Sequence, residues 1–233
     1  MNGVLFGAKH SFNDWGLFLR ERPIISPPSV KTAYVDVVGA NGSLDLTETM
    51  SGDVKYSDRE ITCKFTVKGD RDKWHDMFST IQDYLHGQKM KIILDSDPAY
   101  YYEGRCRVDE WASSKVTSSI VIKAVVNPYK YERFSSLEAW KWDEFNFETG
   151  IIRDYKDIIV NGLHELEIEG RRLPVVPTLY ADGENMKVEF NGKSYNLPQG
   201  QSKILNIILV EGKNVLRFTG NGVVSVEYRG GRL

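Results

Sequence analysis

Glu60-Ile61-Thr62-Cys63-Lys64-Phe65-Thr66-Val67-Lys68 alternates polar and apolar side chains without a break, the period of a half-buried β-strand. Just downstream the period changes. Trp74, Met77, Phe78, Ile81, Tyr84 and Leu85 fall at i, i+3, i+4, i+7, i+10 and i+11, while Lys73, Asp76, Gln82 and Asp83 fall off that stripe. Such a stripe predicts one amphipathic helix laid on a sheet. Asp70 can cap its start, and Gly87 supplies the left-handed residue that ends helices, so the helix is expected over about 70–86. Ile120, Ile122, Ala124 and Val126 then return to a period of two, and further strands are expected at Tyr34 to Val38, Met90 to Leu94 and Tyr101 to Trp111. Strands before and after a single helix predict a mainly β (α+β) chain. Its N-terminal part, residues 1–133, is expected to be a β-sandwich with one covering α-helix.

The pattern shifts at Asn127-Pro128-Tyr129-Lys130-Tyr131, where a strand-like run meets a proline that cannot donate to a sheet ladder. Residues 134–233 are strand-rich throughout. Leu166 and Ile168 alternate with Glu165, Glu167 and Glu169, Val188 and Phe190 lead into Asn191-Gly192, and Leu216 and Phe218 lead into Asn221-Gly222. Both Asn-Gly pairs are read as hairpin turns, and the second half as a compact β-sandwich.

With 233 residues, 41% hydrophobic and 27% charged, the chain has material for one large or two modest cores. Its net charge of −2 and lack of a basic run argue against a protein whose main work is gripping phosphate backbones. No apolar stretch reaches the ~20 residues that span a bilayer, so no membrane insertion is expected. No secretory signal is read at the N-terminus. Two cysteines, Cys63 and Cys106, are too few for a disulfide scaffold and are read as small buried hydrophobes.

No arrangement of reactive side chains stands out. His10, His75, His86 and His164 show no nucleophile or metal-ligand spacing, and no cofactor or metal is expected. Asp95 and Asp97 read as turn residues. Asp143 and Glu144, among Trp140, Trp142, Phe145 and Phe147, are the pair a glycosidase would need, although such an aromatic cluster beside a domain seam is the usual mark of packing. Asn191-Gly192-Lys193-Ser194 lacks the earlier glycine of a phosphate loop, and Asn41-Gly42-Ser43 reads as a turn. The chain is therefore expected not to be an enzyme.

The order of motifs in the first half is informative. Phe12-Asn13-Asp14-Trp15-Gly16-Leu17 with Glu21-Arg22-Pro23 comes first, followed by Val35-Asp36-Val37-Val38-Gly39-Ala40-Asn41-Gly42-Ser43-Leu44-Asp45 and Tyr56-Ser57-Asp58-Arg59-Glu60-Ile61. Tyr84-Leu85-His86-Gly87, Asp95-Ser96-Asp97-Pro98-Ala99-Tyr100-Tyr101-Tyr102 and Asn127-Pro128-Tyr129-Lys130-Tyr131 follow in turn. Over roughly residues 1–131 this set resembles the distal tail proteins of long, non-contractile-tailed bacteriophages. The resemblance implies a virion structural protein at the tail tip, made in the cytoplasm of the bacterial host. It implies a homohexameric ring that joins the tail tube to the tip or baseplate, with DNA passing through its lumen. Expected partners are the tail tube protein, a tail-associated lysin or hub protein and the tape-measure protein, in a phage or prophage. It further implies a galectin-like or carbohydrate-module-like C-terminal β-sandwich, to which the ending Gly220 to Tyr228 is similar. The alternative is a carbohydrate-binding module that contacts cell-wall sugars through Trp140, Trp142 or Tyr180.

Overall fold

The computed structural model describes residues 3–49, 51–67, 71–114, 116–138 and 154–233. The chain divides into two compact units, one made of Met1–Asp97 with Tyr102–Pro128 and the other of Pro98–Tyr101 with Tyr129–Leu233.

In the first unit the alternating stretch is a nine-residue strand whose side chains switch between buried and half-buried at every step. The principal elements are β1 (Val4–Phe6), β2 (Leu17–Leu19), β3 (Arg59–Val67), α1 (Trp74–Leu85), β4 (Lys89–Leu94), β5 (Tyr100–Ser113, which belongs to this unit from Tyr102 onward) and β6 (Ser118–Val126). They form one antiparallel sheet in the order β1-β4-β5-β6-β3-β2, and Lys9–His10 adds to its β1 edge. β3 pairs with β6 along its whole length, from Arg59↔Val126 to Val67↔Ser118.

β1 and β2 occupy opposite ends of this order, yet only residues 7–16 separate them. The sheet must therefore curl, and Ser11 holds its two ends together. The Ser11 amide donates to the Val4 carbonyl (2.8 Å), the Leu17 amide donates to the Ser11 carbonyl (2.8 Å), and the Ser11 hydroxyl accepts the Val4 amide (3.0 Å). The curl encloses Phe6, Phe65, Ile61, Ile92, Ile120 and Ile122, each almost wholly buried. α1 seals this core with Trp74, Ile81 and Leu85, while Met77, Phe78 and Tyr84 pack against it from partly exposed positions.

The helix begins later than its sequence suggests. A 3-10 turn at Arg71–Lys73 leads into Trp74, and Lys73 at the N-cap makes no side-chain capping bond. Asp70, the expected cap, lies outside the described residues. The packed part of the helix starts at the first residue that enters the core. Its end is as expected: Gly87 adopts φ +78° and donates its amide to the Cys106 carbonyl.

The second unit is built on three long strands, β7 (Ile158–Gly170), β8 (Thr178–Phe190) and β9 (Gly212–Glu227), with β9 between the other two. Each bends near its middle, at Gly162 (φ +79°), at Asn185 (φ +56°) and at Gly220 (φ +119°). The β8–β9 register also shifts between Glu184 and Lys187. Bending folds both halves of the sheet over a single core that holds Ile168, Leu179, Val188, Leu216, Phe218, Val224 and Val226.

One expected hairpin is corrected here. Asn191-Gly192 is a true turn between Phe190 and Lys193, with φ of 50° and 74°. Asn221-Gly222 instead lies inside β9. A Cβ on Gly222 would stand 2.3 Å from the Asp182 carbonyl oxygen, and one on Gly183 would stand 2.4 Å from the Asn221 carbonyl oxygen. These glycines are needed for close strand approach, not for reversal.

The seam also differs from the expected division at 133. Tyr100 and Tyr101 pair with Glu132 and Tyr131, and Lys130–Glu132 pairs in turn with Gly231–Arg232, so Pro98–Tyr101 joins the second unit.

Candidate assembly interface

Between the short strand Ile24–Ile25 and β3, the chain leaves the first core. Two ladders follow one another outward, Val30–Lys31 with Lys55–Tyr56 and Tyr34–Asp36 with Ser43–Asp45. The Leu46 amide donates to the Ala33 carbonyl (2.8 Å), and the Thr47 hydroxyl accepts the Ala33 amide (3.1 Å), joining the two ladders into one arm. The reversal at its tip uses Gly39 (φ +84°) and Gly42 (φ +77°), so Asn41-Gly42-Ser43 is a turn as expected.

Every residue from Lys31 to Asp45 is exposed. Among them are Tyr34 (59%), Val35 (47%), Val37 (49%), Leu44 (54%) and Val38, which is fully exposed. A two-stranded ribbon is marginal by itself in water, and apolar side chains on it gain nothing in a monomer. Such an arm is suited to being covered by another chain. Its tip, Tyr34 to Asp45, includes Asp36 and Asp45 and no Lys or Arg. Asp36 accepts a bond from the Ser43 hydroxyl (2.6 Å), and hydrogen bonds from Thr47 hold the Asp45 carboxyl below the usual carboxylate range.

The chemistry-bearing residues singled out from the sequence are dispersed. Asp95 accepts the Gly3 amide (2.6 Å) and lies 3.2 Å from His10 Nε2, while the Asp97 amide donates to the Leu94 carbonyl, as expected of a turn. His75 packs edge-on against Trp111, and His86 Nδ1 accepts the Val108 amide. His164 belongs to strand β7. Among the described residues, no group of three or more His, Cys, Asp or Glu is placed to hold a metal ion. No described helix is long and apolar enough to cross a membrane. Tyr180, in β8, donates its hydroxyl to Glu227 (2.7 Å), and that carboxylate raises its phenol pKa above the ordinary value. Trp140, Trp142, Asp143 and Glu144 lie outside the described residues.

Cys63 and Cys106 are buried free thiols. Burial pushes both up to about 12, with the charge on Cys106 adding to the effect at Cys63. Both should resist a thiol reagent in the folded protein at neutral pH and react on unfolding; prompt modification of the folded state contradicts the burial. The unfolded chain ionises such thiols near their ordinary 9.0, and the folded protein delays this to about 12. Their contribution to stability is thus complete below pH 9 and is lost as the pH climbs toward 12. The melting temperature should fall across that window, and fall less in a Cys63→Ala/Cys106→Ala variant.

The arm was missed as an arm in the sequence, where Tyr34 to Val38 reads as an ordinary strand. The only local sign of its separateness is the stiff Pro27-Pro28 that precedes it.

The sequence matches no protein-family model and no curated protein. The fold, by contrast, has a solved counterpart. Over 100% of both chains, at 11% identity and a TM-score of 0.66, the protein has the fold of the SPP1 Dit (gp 19.1) protein, described as a paradigm of the hub adsorption apparatus in phages that infect Gram-positive bacteria.

Proposed function

We propose that this protein is a structural component of a phage or prophage tail, a ring-forming hub at the distal end of the tube. The observation that carries the reading is the likeness to a phage hub protein over the whole length of both chains. The exposed arm supports it, because a subunit that must bind its neighbours needs apolar surface that a monomer leaves uncovered. In this reading six copies close a ring, which joins the tube to the tip or baseplate and binds the tube protein, the tape-measure protein and a tail-associated lysin or hub. DNA passes through its lumen. The near-neutral net charge suits a conduit, since a strongly basic lining would retain the DNA backbone.

Immunogold labelling of tail particles with an antibody to this protein tests the placement. Label confined to the tube end distal to the head is the expected result. Label along the tube, or none on intact particles, overturns the reading.

A further inference from the structure

The chain holds five Asn-Gly pairs, at Asn2, Asn41, Asn161, Asn191 and Asn221. Each sets a side-chain amide beside a main-chain amide that no Cβ shields, the arrangement from which a cyclic imide forms. Ring closure requires the glycine nitrogen to swing onto Asn Cγ. The backbone setting of each pair therefore decides whether it reacts.

Four pairs are held against that motion. The Gly3 amide, next to Asn2, donates to the Asp95 carboxylate (2.6 Å). The Gly162 amide donates to Asn221 Oδ1 (3.2 Å), a bond that occupies the nucleophile of one pair and the side chain of another. Gly222 lies within the central strand β9, paired with Val160 on one side and Gly183 on the other. Asn191-Gly192 forms the whole turn between the paired Phe190 and Lys193, so rotation about Asn191 has to pull the end of that hairpin apart.

Asn41 is placed differently. It belongs to the reversal from Val37 to Gly42, in which every residue is exposed. Among the described residues, the Ala40 amide to the Val37 carbonyl (3.1 Å) is the one backbone bond inside that reversal, and no hydrogen bond holds the Asn41 side chain or the Gly42 amide. Nothing lies within 4 Å of where a Cβ on Gly42 would stand.

From this contrast we infer that Asn41 is a spontaneous modification site, converted by water to aspartate and isoaspartate while the arm is uncovered. The Gly42 nitrogen gives its proton to solvent and bonds to Asn41 Cγ, the Cγ–Nδ2 bond breaks, and the nitrogen leaves as ammonia. Water then opens the imide at either carbonyl. One water is consumed, one ammonia is released, and nothing is oxidised or reduced. The product adds a carboxylate to a tip whose charged side chains, Asp36 and Asp45, are already acidic. Its isoaspartyl form also lengthens the main chain at the reversal that the Asp36–Ser43 pair closes.

Heavy-oxygen water tests the assignment, because each conversion incorporates one solvent oxygen. The intact chain is kept dilute at neutral pH in that water, folded or in denaturant, and samples are digested with trypsin in ordinary water. Trypsin leaves the five asparagines on separate peptides. In the folded protein the label should enter the Asn41 peptide first, with the Asn161, Asn191 and Asn221 peptides unlabelled when Asn41 is half converted. Asn41→Gln should remove that early signal. In denaturant the lead of Asn41 should disappear. Another of these asparagines keeping pace with Asn41 in the folded protein overturns the assignment, and so does an equal lead of Asn41 in denaturant, where no fold selects it.

Discussion

Replacing residues 32–54 with a short Gly-Ser turn should leave a folded protein that no longer assembles. Among the described residues, the arm contributes none to either buried core. Its ladders pair only with each other, and it rejoins the first unit through the Ser57 amide and the Ser29 carbonyl at 2.8 Å. Closing a shorter loop there costs little, so the stability of the first unit should stay within about 0.5 kcal/mol of the parent. Assembly should be abolished, because the excised segment holds the apolar cluster Tyr34, Val35, Val37, Val38 and Leu44. Two measurements separate these effects, a denaturant midpoint for the fold and light scattering for assembly. Assembly at the parent's concentration would show that the arm is not the joining element.

The second large effect is expected at Arg171. In the second unit Glu132 is only 7% exposed, and both of its carboxylate oxygens are engaged. One accepts Arg171 Nε at 3.2 Å and the other accepts the Gly230 amide at 3.0 Å. Arg229 reinforces the same place by donating to the carbonyls of Glu132 and Arg133. These bonds hold Lys130–Glu132 against the C-terminal strand Gly231–Arg232. Arg171→Ala removes this guanidinium from a largely buried carboxylate, and a loss of about 3 kcal/mol is expected. Adding Glu132→Gln to the Arg171→Ala chain should recover a large part of that loss, since the charge that Arg171 faced is then gone while an acceptor for Gly230 remains. A loss below about 1 kcal/mol in the single variant would mean that the pair is effectively solvated. Unfolding followed by fluorescence, with hydrogen exchange at the amides of Glu132 and Gly230, reads both quantities.

Much of the first unit was legible because its signals are local. The alternation through Ile61, Cys63, Phe65 and Val67 and the stripe from Trp74 to Leu85 each specify one face, and in both cases that face is the buried one. The curl was not legible, since it depends on Ser11 bonding two strands that lie at opposite ends of the sheet order. Nor was the arm. Val35 and Leu44 form a cross-strand apolar pair that a reader of sequence assigns to a core, because alternation records which side chains share a face and not what covers that face. Gly222 shows a different ambiguity. Asn-Gly favours a tight turn, and glycine also permits two strands to approach within the space of a Cβ; only the neighbouring Asp182 and Gly183 decide between these uses. Of the proposed sugar-facing residues, Tyr180 alone falls among the described ones, as a strand residue hydrogen-bonded to Glu227.

The central claim, that this chain is a ring-forming subunit, is tested most directly by its mass in solution. Light scattering over a concentration series, with and without the tail tube protein, should find a species of six 26.6 kDa copies, about 160 kDa. Negative-stain images of that species should show a central hole. A strict monomer at every concentration, in the presence of the tube protein as well as alone, would contradict the account.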